Sequence, residues 1–314
     1  MAADQLAVLL MAYGGPGNLA EVEPYLLDVR GGRPTKPQLV EEIRARYARI
    51  GGRSPILEHT RAQAAGVGRA LGTGFRTYVG MRHWHPYIKD SVAEIRRAGT
   101  QRVVGVVMAP HYSGMSVGAY EKKLLEAAHE SEPLEVALVR SWWEQPAFLD
   151  TMANRVRQAL QRFPKPSEVQ VIFTAHSLPE RILAAGDPYP EELKASAAEV
   201  ARRLELGEWH FAYQSAGATN EPWLGPDAAE LMTKLAREKR ADAMLLVPIG
   251  FVCDHVEILY DIDIAFRATA NELGLKLWRA ESLNDSPMLV KALVEVISGV
   301  YKATVDEVTV PAGV

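Results

Sequence analysis

Short, uninterrupted apolar runs alternate with amphipathic stretches along the chain, and this alternation restricts the possible folds more than any other feature. A strand buried on both faces is apolar at every position, whereas a helix that covers a sheet repeats its apolar residues at helical spacing. The stretch from Pro190 to Leu204 has this helical spacing. We therefore predict an α/β fold with parallel sheets flanked by helices. The expected strands are Leu6 to Met11, Thr77 to Met81, Val103 to Ala109, Val136 to Val139, Val169 to Thr174, Phe211 to Gln214, Ala243 to Ile249 and Leu275 to Trp278.

A weak internal repeat divides the chain into two halves. VLLMAYGGP, which ends at Pro16, parallels VIFTAHSLP, which ends at Pro179: a buried strand ends in Ala, a polar ring residue follows, and a turn closes at Pro. A chain of 314 residues also exceeds the usual size of one hydrophobic core. We expect two similar open sheets, in domains 1–147 and 148–314. Because ligands of open parallel sheets bind beyond the carboxyl ends of the strands, Tyr13 and His176 should face a shared cleft from opposite sides.

Composition limits the function classes. A formal net charge of −4 argues against general nucleic-acid binding, and no apolar run approaches the length of a membrane span. The single cysteine, Cys253, excludes an internal disulfide and an iron–sulfur cluster held by four cysteines of this chain. These features favour a cytoplasmic protein.

The segment 14–55 fits neither sheet and is locally basic. Two short helical patterns, Leu19 to Val29 and Pro37 to Ile50, flank the turn-rich sequence RGGRPTKP. Between Asp28 and Arg53 there are seven cations and three anions, a balance of +4. The segment is either a lid over the cleft or a surface elaboration without function.

The sequence GFVCDHVEILYDID, residues 250–263, offers the richest chemistry. A helix that begins near Cys253 would carry Asp254, Glu257 and Asp261 on one face, where they could bind a cation or relay protons. The alternative is a solvated acidic face that relieves the helix macrodipole. His255 would point elsewhere, to pack or to support the site through a hydrogen bond.

His176 is expected at the mouth of a buried strand, between Ala175 and Ser177. A lone histidine is more often structural than catalytic, but this position opens on the predicted cleft. An imidazole together with a carboxylate suits ferrous iron or zinc, whereas an all-oxygen set suits magnesium or calcium.

These segments together resemble the ferrochelatase family. TAHSLP, YQSAGATNEPWLGPD, GFVCDHVEILYDID and ESLNDSP match the family's blocks in order, and LLMAYGGPG, RYARIGGRSPI, GMRHWHP and APHYSGMS match its N-terminal half. The similarity covers nearly the whole chain. Ala265 departs from the pattern, because some bacterial relatives continue the acidic stripe at this position with a third carboxylate.

The resemblance implies a type II chelatase fold of two Rossmann-like domains, with segment 14–55 covering the porphyrin and the last helix, about 286–300, packing back on the first domain. It implies that His176 and Glu257 bind the metal and handle the pyrrole protons, with Asp254 and Asp261 behind them. Tyr13 resembles the tyrosine of the branches that act on coproporphyrin. The residues that look like the matching substrate contacts are Tyr13, Arg30, Arg46, Tyr47, Ser54 and Tyr120.

The expected reaction is the insertion of Fe²⁺, as a substrate, into a porphyrin during haem biosynthesis, by a monomer with no tightly bound cofactor and no iron–sulfur cluster. Two alternatives remain open at this point: a chelatase for another metal and tetrapyrrole, such as cobalt or nickel and a sirohydrochlorin-type ring, and a porphyrin or haem carrier without turnover. A nucleotide-binding dehydrogenase is poorly supported, because the first strand leads to GGPG rather than to a dinucleotide-binding glycine motif.

Overall fold

The computed structural model describes residues 5–130, 134–217, 219–238 and 241–308, with side chains described up to residue 301. Its eight strands are β1 (Leu6–Ala12), β2 (Phe75–Met81), β3 (Arg102–Val107), β4 (Glu135–Val139), β5 (Gln170–His176), β6 (Trp209–Gln214), β7 (Ala243–Val247) and β8 (Lys276–Arg279). The α-helices are α1 (Val22–Val29), α2 (Pro37–Arg49), α3 (Ile56–Leu71), α4 (Ile88–Arg97), α5 (Val117–His129), α6 (Pro146–Leu160), α7 (Arg181–Ala184), α8 (Tyr189–Arg203), α9 (Ala228–Arg237), α10 (Arg267–Glu272) and α11 (Pro287–Val308).

The strands form two four-stranded parallel sheets with the same topology. The first has the order β2-β1-β3-β4 and the second has the order β6-β5-β7-β8, so each half repeats the other. The α/β fold with two flanked parallel sheets is thereby confirmed. β1 and β5 are equivalent strands, and their carboxyl ends lie where strand order reverses.

The hydrophobic core runs through both halves. One cluster joins β1 and α3 of the first half to β5 and α8 of the second through α6 and α11. Two smaller clusters cover the outer faces of the sheets, one with α4 and α5 and the other with α9 and the helix that follows residue 256. The last helix, α11, contacts α3, β3 and β4 of the first half as well as α6. The proposed domain boundary, 147/148, falls near the start of α6.

Segment 14–55 contains a short 3₁₀ helix at Leu19–Glu21 followed by α1 and α2. Asn18 caps the 3₁₀ helix by accepting hydrogen bonds from the backbone N–H groups of Ala20 and Glu21. α2 contacts the helix that begins at Glu257, so the segment reaches across to the second half.

The helix after β7 differs from the expected one. It is a π-helix over Glu257–Phe266 that continues into α10, and Cys253 and Asp254 lie in the loop before it. β7 also ends two residues earlier than expected, at Val247, because Pro248 has no N–H group to continue the ladder. The expected start near Cys253 was therefore wrong, and a stripe of three carboxylates on one helix does not form.

None of the helices in the described ranges combines the length and apolarity that crossing a bilayer requires.

Candidate active site

His176 is the last residue of β5 and faces Glu257. Its Nδ1 lies within hydrogen-bond distance of the carbonyl oxygen of Ser177, so the neutral ring donates from Nδ1 and keeps the lone pair of Nε2 free. Nε2 lies 3.6 Å from Oε1 of Glu257, and the two side chains are 32% and 26% exposed. This separation is longer than a hydrogen bond between the two atoms. The pair can share a proton or a cation that enters between them.

Glu257 is the first residue of the π-helix, and its Oε2 is buried with no hydrogen-bond partner. Burial would raise the pKa of Glu257, but the positive charge that the imidazoles of His176 and His255 carry when protonated holds that pKa below its ordinary value. Nε2 of His255 lies 3.8 Å from Oε2, and its Nδ1 bonds to the carbonyl of Cys253. Glu257 is therefore a charged carboxylate with unused acceptor capacity at the start of a ten-residue π-helix.

Gln214 connects the two members of the pair. It is the register partner of His176 on β6 and is fully buried. Its backbone carbonyl accepts from the N–H of Ser177, and its side-chain Nε2 donates to the backbone carbonyl of Glu257 at 2.9 Å. The sequence analysis missed this residue, although its place at the end of the strand beside β5 was a usable signal.

The other two carboxylates of the expected stripe have different surroundings. Asp261 lies on the π-helix with Glu257. Its carboxylate accepts a hydrogen bond from the hydroxyl of Ser215 and lies 4.0 Å from a guanidinium nitrogen of Arg46. Burial raises the pKa of Asp261 above its ordinary value. Asp254 instead faces Arg279 and the polar residues that follow β8. The structure thus joins Asp261 to the site and separates Asp254 from it.

Tyr13 directly follows β1 and is 40% exposed. Its ring packs against His83, with centroids 4.7 Å apart, and the Arg82 guanidinium lies 5.8 Å from its centroid. Partial burial raises the pKa of Tyr13 to about 12 against the opposing effect of Arg82, and the negative charge of Glu257 adds to the increase. The phenol is neutral at physiological pH and lies within electrostatic reach of Glu257.

The other expected substrate residues divide into open and buried positions. Arg30 is exposed, just beyond the end of α1, and Arg46 is partly exposed on α2, where its guanidinium lies 5.2 Å from the centroid of the Tyr260 ring. Tyr47, Ser54 and Tyr120 are only 2%, 8% and 4% exposed. Burial raises the pKa of Tyr47 and of Tyr120, and the charge of Glu257 adds to both increases. Tyr47 and Tyr120 therefore lie within electrostatic reach of Glu257.

Arg82 and His83 were missed as site residues, although they lie in the block GMRHWHP. Arg82 lies 5.4 Å from the centroid of Tyr120 and donates to the carbonyl of Met115. Nδ1 of His83 lies 2.8 Å from Asp28, and burial lowers the pKa of His83 to about 4. The loop after β2 thus provides the wall behind Tyr13.

Within the described ranges, no group of three or more His, Cys, Asp or Glu side chains is arranged to hold a metal ion.

Comparison with known proteins finds relatives over nearly the whole chain. The ferrochelatase family model matches residues 5–300. The chain is 47% identical over 300 residues to a ferrochelatase of Herpetosiphon aurantiacus, a match that covers 93% of this chain and 98% of that protein. It is 36% identical over 304 residues to a coproporphyrin III ferrochelatase of Bacillus subtilis, covering 95% and 98% of the two chains.

Among solved structures, the chain is similar to the sirohydrochlorin chelatase SirB from Bacillus subtilis subspecies spizizenii in complex with cobalt. The TM-score is 0.58 at 10% identity, with 95% of this chain and 96% of that chain covered. At this identity the likeness concerns the fold alone, and it agrees with a type II chelatase arrangement of the two sheets.

Proposed function

The chain belongs to the ferrochelatase family and is a metal chelatase, and from this premise we propose that it inserts Fe²⁺ into coproporphyrin III in preference to protoporphyrin IX during haem biosynthesis. The observation that carries the proposal is the pair formed by Nε2 of His176 and Oε1 of Glu257, 3.6 Å apart, with no hydrogen-bond partner on the second carboxylate oxygen. Such a pair can hold a metal ion and accept the pyrrole protons that the metal replaces.

In the proposed mechanism, His176 accepts a pyrrole proton at Nε2, because Nδ1 is held by the Ser177 carbonyl. Glu257 helps to hold the incoming Fe²⁺ and relays this proton from His176 toward Asp261, whose raised pKa favours proton uptake, so that Nε2 is free again to accept the second pyrrole proton. A neutral imidazole and a carboxylate are suitable ligands for ferrous iron. Asp254 is left out of this relay because its carboxylate is already bonded to other groups.

Tyr13 is proposed to approach the ring from the face opposite to His176, as a neutral phenol. The preference for coproporphyrin is supported by Tyr13, by relatives named coproporphyrin III ferrochelatases at 36% identity, and by the basic surface of segment 14–55. The relative at 47% identity is named simply a ferrochelatase. Coproporphyrin carries four propionates and protoporphyrin two, so fork-shaped guanidinium donors have more carboxylates to bind. The proposed contacts are Arg30 and Arg46 for propionates, with Tyr47, Ser54 and Tyr120 lining the cleft.

A paired anaerobic assay with Fe²⁺ tests this proposal, with metallation of each porphyrin followed by absorbance. Exposed ion pairs contribute ~0.2–1 kcal/mol each, so two added propionates should favour coproporphyrin in kcat/KM by between about twofold and thirtyfold. Arg30→Gln and Arg46→Gln should each reduce this ratio. Arg44→Gln is the matched control: Arg44 and Arg46 each pair with a glutamate of α2, but Arg46 also lies 4.0 Å from Asp261, whereas Arg44 donates to the carbonyl of Leu19 within segment 14–55. Equal or reversed kcat/KM values would overturn the preference, and no metallation of either porphyrin would overturn the function.

Cytoplasmic location and a monomeric state remain predictions from the sequence.

A further inference from the structure

The polar residues after β8 hold the loop that precedes Glu257. We call Arg279–Asn284 the clamp segment; it includes the start of the ESLNDSP block, to which the proposed chemistry gives no role. Asn284 donates from Nδ2 to Oδ2 of Asp254 at 3.1 Å and accepts from the Asp254 backbone N–H at 2.8 Å. The Ser282 hydroxyl donates to Oδ1 of Asp254 at 2.7 Å. Asp254 is therefore fixed at both its side chain and its backbone.

Arg279 joins this loop to the π-helix. Its Nε and Nη2 donate to the two carboxylate oxygens of Asp263, at 2.8 and 3.0 Å, and Nη2 also lies 3.1 Å from Oδ1 of Asp254. Asp254 precedes Glu257 by three residues and Asp263 follows it by six. The Arg279 side chain, only 14% exposed, thus binds carboxylates that precede and follow Glu257 in the sequence. Fork-shaped donors of this kind fix geometry as well as charge.

The clamp segment is also tied to the first half of the molecule. Nε2 of Gln63, a fully buried residue of α3, donates to the carbonyl of Asn284 at 2.7 Å. Asn284 has a φ of 47°, a left-handed conformation that asparagine adopts more readily than most residues. Its N–H donates to the carbonyl of Val252 at 2.8 Å. Hydrogen bonds at its N–H and at its carbonyl thus fix the backbone of Asn284, and its side chain faces Asp254.

We infer that Arg279 is a positioning residue, which keeps the carboxylate of Glu257 directed at His176 by holding Asp254 and Asp263 together. Arg279 touches neither His176 nor Glu257 in the described contacts, so it acts through the loop and the π-helix. The inference rests on the proposed role of Glu257. Without the guanidinium, the loop before the π-helix and the second turn of the π-helix lose their link to Arg279 of β8, and Glu257 samples orientations that face away from the metal.

The test compares Arg279→Gln and Arg279→Lys with the wild-type chain. Outer residues that orient a metal ligand typically contribute ~10–100-fold to activity, so Arg279→Gln should lower kcat for anaerobic Fe²⁺ insertion by about that factor. Porphyrin affinity, measured by fluorescence quenching without metal, should stay within about twofold of the wild type. Arg279→Lys should give an intermediate kcat, because one ammonium cannot bind both carboxylates in the same geometry.

Arg162→Gln is the matched control, because it removes an ion pair to Glu281 in the same clamp segment without touching the loop or the π-helix. Its kcat should equal the wild-type value. If Arg279→Gln does not fold, Asp263→Asn provides the same test with the Asp254 contacts retained. The positioning role would be overturned if Arg279→Gln kept a kcat within twofold of the wild-type value. It would also be overturned if this variant lost porphyrin affinity by the same factor as kcat. Failure of the wild-type chain to insert iron would instead overturn the proposed function.

Discussion

At the scale of single residues, burial decides which groups carry charge. Glu257 keeps a low pKa in spite of burial because two imidazoles face it, whereas Tyr13 stays a neutral phenol because burial and the charge of Glu257 both oppose its ionisation. Glu257 is thus an anionic carboxylate that faces neutral phenols. A cation that enters the site therefore meets the negative charge of Glu257.

A second buried imidazole, His111, provides a prediction on pH. His111 is 2% exposed, its Nε2 lies 2.7 Å from the hydroxyl of Ser196 in the other half, and burial lowers its pKa from 6.5 to about 3. At pH values between these two pKa values, His111 takes up a proton in the unfolded chain but not in the folded chain. The free energy of unfolding therefore falls as the pH falls. One such group changes the free energy of unfolding by at most ~1.4 kcal/mol per pH unit.

His111→Gln should therefore reduce the loss of unfolding free energy between pH 6 and pH 4, as measured by urea denaturation at a series of pH values. Identical slopes for His111→Gln and the wild type would contradict the argument.

At the scale of elements, the alternation of apolar and amphipathic stretches predicted all eight strands and the two-sheet fold. This worked because strands covered by helices are apolar throughout, so their pattern reports burial directly. The π-helix could not be predicted in the same way. The contacts that hold it, such as those of Gln214 and Arg279, come from residues 43 and 16 positions away, which a local pattern does not report. For this reason Asp254 was wrongly assigned to the helix.

The close packing of the turn after β7 against β5 gives an element-scale prediction. A Cβ on Gly250 would lie 2.6 Å from the Cβ of Ala175, the residue before His176. Gly250→Ala should therefore push the two elements apart, reduce stability by ~1–3 kcal/mol and lower the rate of iron insertion. Gly207→Ala is the control, because a Cβ there meets no atom within 4 Å. Thermal unfolding and kcat together measure the effect; a fully active, equally stable Gly250→Ala would show that the contact is not restrictive.

At the scale of the whole molecule, the two halves bring complementary chemistry to one place. The equivalent strands β1 and β5 present Tyr13 and His176, and the second half adds the π-helix with Glu257. The internal repeat in the sequence indicated the equivalence, but it could not reveal the contacts between the halves. Links such as that between Gln63 and Asn284 join residues 221 positions apart, and only the folded chain reveals them.

The central claim is that His176 and Glu257 act as one unit in metal insertion. Single-turnover Fe²⁺ insertion into coproporphyrin III, measured for His176→Ala, Glu257→Gln and the double variant, tests it most directly. Each single change should lower the rate constant by at least ~100-fold with porphyrin binding retained, and the double variant should lose little more, because residues that act together are not additive. A near-wild-type rate in either single variant, or losses that multiply in the double variant, would contradict the account.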